Sequence, residues 1–221
     1  RQMCIRDSLK NIYNTTTYQI FTQQGTDVFT QNYPTEVAAM NQYTTTYQSN
    51  NGTIYAMWSS YFNALNNVNA AIDRSKSVIL KTDDPDGIEP SALAQLVAEA
   101  KALRAWYLFE IVRNWGQGPL KINESKGPSY TVEYSNGAAF YQQIFTDLEE
   151  AISVLPWRQM GSNYGRMSKA AAKHIRALAY LTRGYEEYAD PKDFENAFKD
   201  AEDVYLNSGH KLLDDLSLIH I

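Results

Sequence analysis

The sequence predicts a mostly α-helical protein with loop-rich insertions, and three observations carry that prediction. Residues 99–120 place Ala100, Leu103, Tyr107, Val112 and Trp115 near helical spacing and then stop at Gly116 and Pro119. Tyr61, Leu65, Val68 and Ile72 form a second stripe of the same period. Near the C-terminal end, small residues at Ala172, Ala177, Ala179, Gly184, Ala197 and Ala201 alternate with aromatic residues at Tyr180, Tyr185, Phe194 and Phe198. Small residues let two helices approach while rings fill the space beside them, the logic of tetratricopeptide (TPR)-like helical hairpins.

The elements follow in order. Residues 9–57 are rich in Thr, Gln, Asn and Tyr; they read as loop and turn with one short helix over 13–23. A helix is expected from 54 to about 80. Residues 81–90 contain Asp83-Asp84-Pro85-Asp86-Gly87 and form a polar turn. Pro90-Ser91 opens the long helix, which Gly116 ends, because glycine accepts the left-handed conformation and Pro119 cannot continue a helix. After a loop over 116–136 comes a helix over 138–155, ended by Pro156. Ser168 is a natural N-cap for a helix to about 188. Asp190-Pro191 breaks it, and a last helix over 193–207 stops before Gly209.

Composition excludes several function classes. The 221 residues are 44% hydrophobic, enough for a folded core. A formal net charge of -5 gives no basic surface for nucleic acid. No apolar run reaches transmembrane length. Cys4 is the single cysteine, so no disulfide forms within the chain. The Asp84-Asp86-Gly87 start of a calcium loop lacks the closing Glu, so a solvated turn is expected there. Glu149-Glu150, Glu186-Glu187 and Asp214-Asp215 are adjacent, and neighbours on a helix point apart, which rules them out as a glycosidase pair. His174, His210 and His220 share no metal or catalytic spacing. No phosphate loop or serine elbow is present, so no enzyme and no cofactor are expected. Arg104 is expected to stack on a ring or to form a buried ion pair with a partner such as Glu99 or Asp147, and Trp106 and Trp115 are expected to be core.

Four blocks, in order, resemble one family. Glu99-Ala100 through Leu103-Arg104-Ala105, Tyr107 and Trp115-Gly116 to Pro119-Leu120 follows its pattern E-A-x-F-L-R-A-x-x-Y-F-x-L-V-x-x-W-G-x-x-P-L. Residues 140–156 resemble its Y-x-x-I-x-x-D-L-x-x-A-I helix, closed by Leu155-Pro156. Residues 165–172 resemble its G-R-x-T/S-x-x-A-A helix start, and residues 58–73, with Tyr61, Asn69 and Ile72, its preceding helix. Thr26-Asp27 sits where the family carries a T-D pair. The resemblance, over residues 20–215, is to the SusD/RagB outer-membrane nutrient-binding lipoproteins of Bacteroidetes. It implies a SusD-like α-α superhelix and a single helical domain over 9–215, truncated at its C-terminal half. Residues 1–8 and 216–221 fit no part of the pattern and are expected to be non-native ends.

The resemblance further implies non-catalytic binding of an oligosaccharide or other nutrient at the external face of the cell outer membrane. Delivery would be to a SusC-like TonB-dependent transporter. Membrane attachment would come only through a lipid anchor that this chain does not carry, since Arg1-Gln2-Met3 before Cys4 is not the lipidation motif. A glycan site needs exposed rings beside hydroxyl-binding side chains. The region richest in both is 26–58, giving Asp27, Tyr33, Tyr43, Tyr47 and Asn51 as expected ligand contacts. A TPR-type protein adaptor is the alternative reading, recognised by a polar Asn- and Lys-lined groove without an aromatic loop cluster. A helical glycoside hydrolase would need two facing carboxylates that the sequence does not offer.

Overall fold

A computed structural model describes residues 9, 12–13, 16–23, 25–27, 29, 40–44, 48, 50–128 and 131–211. Its helices are α1 (Thr16–Gln23), α2 (Gly52–Ser75), α3 (Pro90–Trp115), α4 (Gly137–Val154), α5 (Lys169–Arg183) and α6 (Asp193–Asn207), with a 3-10 turn at Gly161–Asn163. The described residues contain no sheet, only isolated bridges joining Leu80 to Ile88 and Gly118 to Ser135. The fold is therefore mostly helical, as predicted. Packing groups the described residues into two compact units, one within 1–78 and 107–140, the other within 79–106 and 141–221. Helices α3 and α4 contribute residues to both.

In the first unit the predicted stripe of α2 is buried: Tyr61, Leu65, Val68 and Ile72, joined by Met57 and Ala64. Each such side chain removed from water contributes about 1.5–3 kcal/mol. Trp115 anchors a ring cluster, 5.5 Å from Phe21, 5.1 Å from Trp58 and 6.1 Å from Tyr61. Both Trp115 and Trp106, expected to be core, are half-buried. Gly116 takes φ +74°, and its N–H donates to the Val112 carbonyl at 2.8 Å, closing α3 as the sequence predicts. The helical spacing of Ala100, Leu103, Tyr107, Val112 and Trp115 implies a single apolar face, and that expectation fails. Tyr107, Leu108, Phe109, Glu110, Ile111 and Val112 are consecutive and all buried, so this stretch is enclosed all round.

In the second unit Arg104 makes the buried ion pair expected of it, and the partner is Asp147. Two parallel bonds of 2.7 and 2.6 Å join them, and the Gln143 amide adds a third donor to the carboxylate at 3.0 Å. Glu99 pairs instead with Arg166, at 2.9 and 2.7 Å. The Ser168 hydroxyl accepts the Ala171 N–H at 3.2 Å and caps α5 as predicted. Along the α5–α6 hairpin Asp193 takes Arg183 at 2.9 and 2.5 Å, and Asp200 takes Arg176 at 2.5 and 2.8 Å and Lys173 at 2.8 Å. Ala172, Ala177, Ala179 and Ala197 are buried, as the small-residue pattern requires. The Tyr180 ring stacks 4.2 Å from Phe145, with the Arg183 guanidinium 4.6 Å over the latter.

Three expectations need correction. Helix α2 ends at Ser75, not near 80, because the Ser75 and Ser77 hydroxyls capture the Ile72 and Arg74 carbonyls at 2.7 and 3.0 Å and the backbone tightens into i to i+3 turns. Helix α5 ends at Arg183, not 188, because Asp193 holds both the Arg183 guanidinium and the Asp190 N–H, the latter at 2.8 Å, folding the intervening residues into turns. On α6 the apolar face is the outer one: Phe194, Phe198 and Tyr205 are exposed, as are Ala201 and Tyr185. The inner positions belong to Asp193, Ala197 and Asp200.

Candidate ligand-binding surface

The expected contacts Asp27, Tyr43 and Asn51 fall within the first unit; Tyr33 and Tyr47 lie outside the described residues. Asp27 is exposed in the turn after α1. Tyr43 closes that turn from a distance in sequence, its hydroxyl donating to the Gly25 carbonyl at 3.0 Å. The Gly25 N–H donates to the Asn41 side-chain oxygen at 3.4 Å. Gly25 stands at φ +82°, and a Cβ there would lie 3.0 Å from the Met40 carbonyl oxygen, so no other residue fits without strain. Tyr43 itself has φ +51°, a conformation that costs a non-glycine residue about 1–3 kcal/mol. The residue is nevertheless 68% exposed. An exposed ring with a hydrogen-bonded hydroxyl suits a sugar face.

Asn51 has a different setting. It is 5% exposed and is the N-cap of α2, its side-chain oxygen accepting the Thr53 and Ile54 N–H groups at 2.9 and 3.4 Å. Nearby on α2, Tyr55 is exposed, while Trp58 packs on Phe62 with ring centres 4.5 Å apart.

A second polar surface was not anticipated from the sequence. Asn66, Asn69 and Asp73 lie on one side of α2 and tie down the loop that follows α3. Asn69, fully buried, donates to the Lys121 and Asn123 carbonyls at 3.0 and 3.3 Å. The Asn66 oxygen accepts the Ser125 N–H at 2.7 Å, and the Asp73 carboxylate accepts the Glu124 N–H at 2.8 Å. Arg74 closes the row on the Glu124 carboxylate, and that hydrogen bond holds Glu124 below the usual carboxylate range. Between helix and loop lies a depression of about 450 Å³, lined by Phe62, Asn63, Asn66, Lys121, Asn123 and Ser125. The visible signal was the spacing Asn63, Asn66, Asn69, an amide at every third residue along the middle of the helix.

Groups that could support other chemistry are otherwise engaged or dispersed. Glu110 is fully buried and receives the Tyr61 hydroxyl at 3.0 Å and Arg113 at 2.7 Å. Burial pushes its carboxyl above the usual range, against the pull of Arg113 and Tyr61. Glu149, Glu150, Glu186 and Glu187 are exposed. Asp84 spends a carboxylate oxygen on the Asp86 N–H at 2.9 Å, a turn rather than a cation loop. Among the described residues no three His, Cys, Asp or Glu side chains converge as metal ligands, and no helix is long and apolar enough to cross a membrane.

Comparison with known proteins supplies the family. A SusD-like family model, described as starch-binding and associating with outer membrane, matches residues 2–185. A SusD-like protein of Bacteroides ovatus is 30% identical over 160 residues, which are 71% of this chain and 28% of that protein. A solved SusD homologue from Bacteroides thetaiotaomicron superposes with a TM-score of 0.77 at 22% identity, covering 97% of this chain and 42% of its own. A laminarin-binding SusD-like protein gives 0.77 at 23% identity, covering 96% of this chain and 45% of its own. A structure solved with xylogluco-oligosaccharide gives 0.74 at 23%, covering 93% of this chain and 39% of its own. The chain thus spans less than half the length of each of these relatives, and at such identities the solved structures establish the fold alone. With the family model matching residues 2–185, from before α1 through α5, the chain belongs to the SusD-like family.

Proposed function

We propose that this chain is part of a protein that captures an oligosaccharide at the external face of the outer membrane and delivers it to a SusC-like TonB-dependent transporter. The observation that carries the reading is the family match over residues 2–185. Similarity in fold to a laminarin-binding protein and to one solved with a xylogluco-oligosaccharide supports glycan as the ligand class. The full-length protein would be held at the membrane by a lipid anchor. Glycan contacts are assigned to Asp27, Tyr33, Tyr43, Tyr47 and Asn51. Of these Tyr43 has the strongest support, because it is exposed, its backbone is strained and its hydroxyl bonds the Gly25 carbonyl.

The test is electrophoresis through native gels containing laminarin, xyloglucan or starch, with transporter co-purification as a second readout. The chain is expected to be retarded by at least one polysaccharide. Tyr43→Ala is expected to reduce that retardation with helical content unchanged. Migration unaffected by all three would overturn the reading, and retention of a different outer-membrane partner would overturn the delivery step.

A further inference from the structure

We propose that the depression between α2 and the loop over 121–127 is a sugar-binding site in its own right, taking one or two units of a neutral oligosaccharide. This rests on the glycan-capture reading and adds to it a set of residues outside the five assigned above.

The chemistry of the lining argues for a sugar. Asn63, Asn66 and Asn123 offer side-chain amides, Lys121 an ammonium, and Phe62 an apolar ring. An amide presents a donor and an acceptor at fixed separation, which matches a pair of adjacent hydroxyls that both donate and accept. Asn63 and Asn123 make no side-chain hydrogen bond among the described residues, and Lys121 makes no ion pair there. Among the described residues Asn66 uses only its oxygen, on the Ser125 N–H, which leaves its NH₂ for a ligand. No carboxylate lines this depression, so it offers no cation site. One lysine without an arginine fork or helix N-terminus is a poor phosphate cradle.

The architecture argues for a built site. The helical wall is fixed by the buried stripe of α2. The loop wall is fixed by Asn69, fully buried, on two of its carbonyls, and by Asn66 and Asp73 on two of its N–H groups. The loop backbone is thus ordered before any ligand arrives, which spares binding the cost of ordering it. Phe62 packs against Trp58, with ring centres 4.5 Å apart. At about 450 Å³ the volume falls within the roughly 300–1,000 Å³ typical of small-molecule sites.

The experiment is calorimetric titration of the chain with laminarihexaose, a xyloglucan oligosaccharide, maltohexaose and oligogalacturonate. The Asn63→Ala/Asn123→Ala double variant is compared with wild type. Neither side chain makes a hydrogen bond among the described residues, so melting is expected to be unchanged. Loss of two hydrogen bonds is expected to weaken binding of the preferred neutral oligosaccharide about tenfold. Asn63→Trp, which fills the depression, is expected to abolish that contribution. If wild type binds a neutral oligosaccharide and both variants bind it equally well, this inference falls while glycan capture stands. Should wild type bind none of the four, glycan capture falls and this inference with it. Binding of oligogalacturonate alone would overturn the neutral class.

Discussion

Tyr61 and Tyr107 are both fully buried, but their hydroxyls differ in what they meet. The Tyr61 hydroxyl donates to Glu110; that of Tyr107 has no hydrogen-bond partner among the described residues. An unsatisfied buried hydroxyl costs about 1–3 kcal/mol. Tyr107→Phe is therefore expected to raise stability by about 1 kcal/mol in urea unfolding, whereas Tyr61→Phe, which strips a donor from a buried carboxylate, is expected to lower it by a similar amount or more. Glu110 adds a pH signature. Burial raises its folded pKa, so the folded state holds a proton that the unfolded state has released. Stability then falls as pH climbs from about 4.5, the unfolded value, to the raised folded one, and is level beyond it. Glu110→Gln is expected to remove that decline; a parallel decline in the variant would assign it elsewhere.

Helix α6 inverts the usual division of a helix, with carboxylates inward and rings outward. Asp200 is 4% exposed between Arg176 and Lys173. Asp200→Ala would strand Arg176, while Lys173 keeps Asp203 at 2.8 Å, and is expected to cost about 3 kcal/mol. Phe198→Ser, at a ring 64% exposed, is expected to change stability by less than about 0.5 kcal/mol. Burial alone would raise the Asp200 carboxyl, but hydrogen bonds from Arg176 and Lys173 hold it below its ordinary value of 3.8. Its contribution is complete above that value and is lost as pH falls through the depressed one, so the gap between wild type and variant is expected to close only in that acidic window. The inversion also marks a limit of sequence reading. Stops and caps were legible because Gly116, Ser168 and Pro90 act locally. The ends at Ser75 and Arg183 were not, since hydroxyl capture and the Arg183–Asp193 pair depend on side-chain placement. Which face of α6 points inward depends on Arg176 and Arg183 of its neighbour, and periodicity alone favoured the rings.

At the scale of the whole molecule, the candidate surface was only partly legible for the same reason. Tyr43 and Asp27 lie exposed where a loop-rich reading puts them, but the burial of Asn51 follows from its capping bonds. The amide-lined depression joins α2 to a loop about fifty residues later through Asn69, and no local pattern announces a contact at that separation. Long continuous helices also bear on how the chain unfolds. Helix α3 supplies Ala98 to Leu103 to one unit and Tyr107 to Val112 to the other, without a break. Melting one end of such a helix frays the other, because helix hydrogen bonds are cooperative along the chain. The two units are therefore expected to unfold together. Tryptophan placement makes this measurable: Trp58 and Trp115 report on the first unit and Trp157 on the second. With Trp106 replaced by Phe, single-tryptophan variants followed by fluorescence should give midpoints that coincide with each other and with the loss of helical circular dichroism. Two separated midpoints would show that α3 breaks near residue 106 and that each unit stands on its own core.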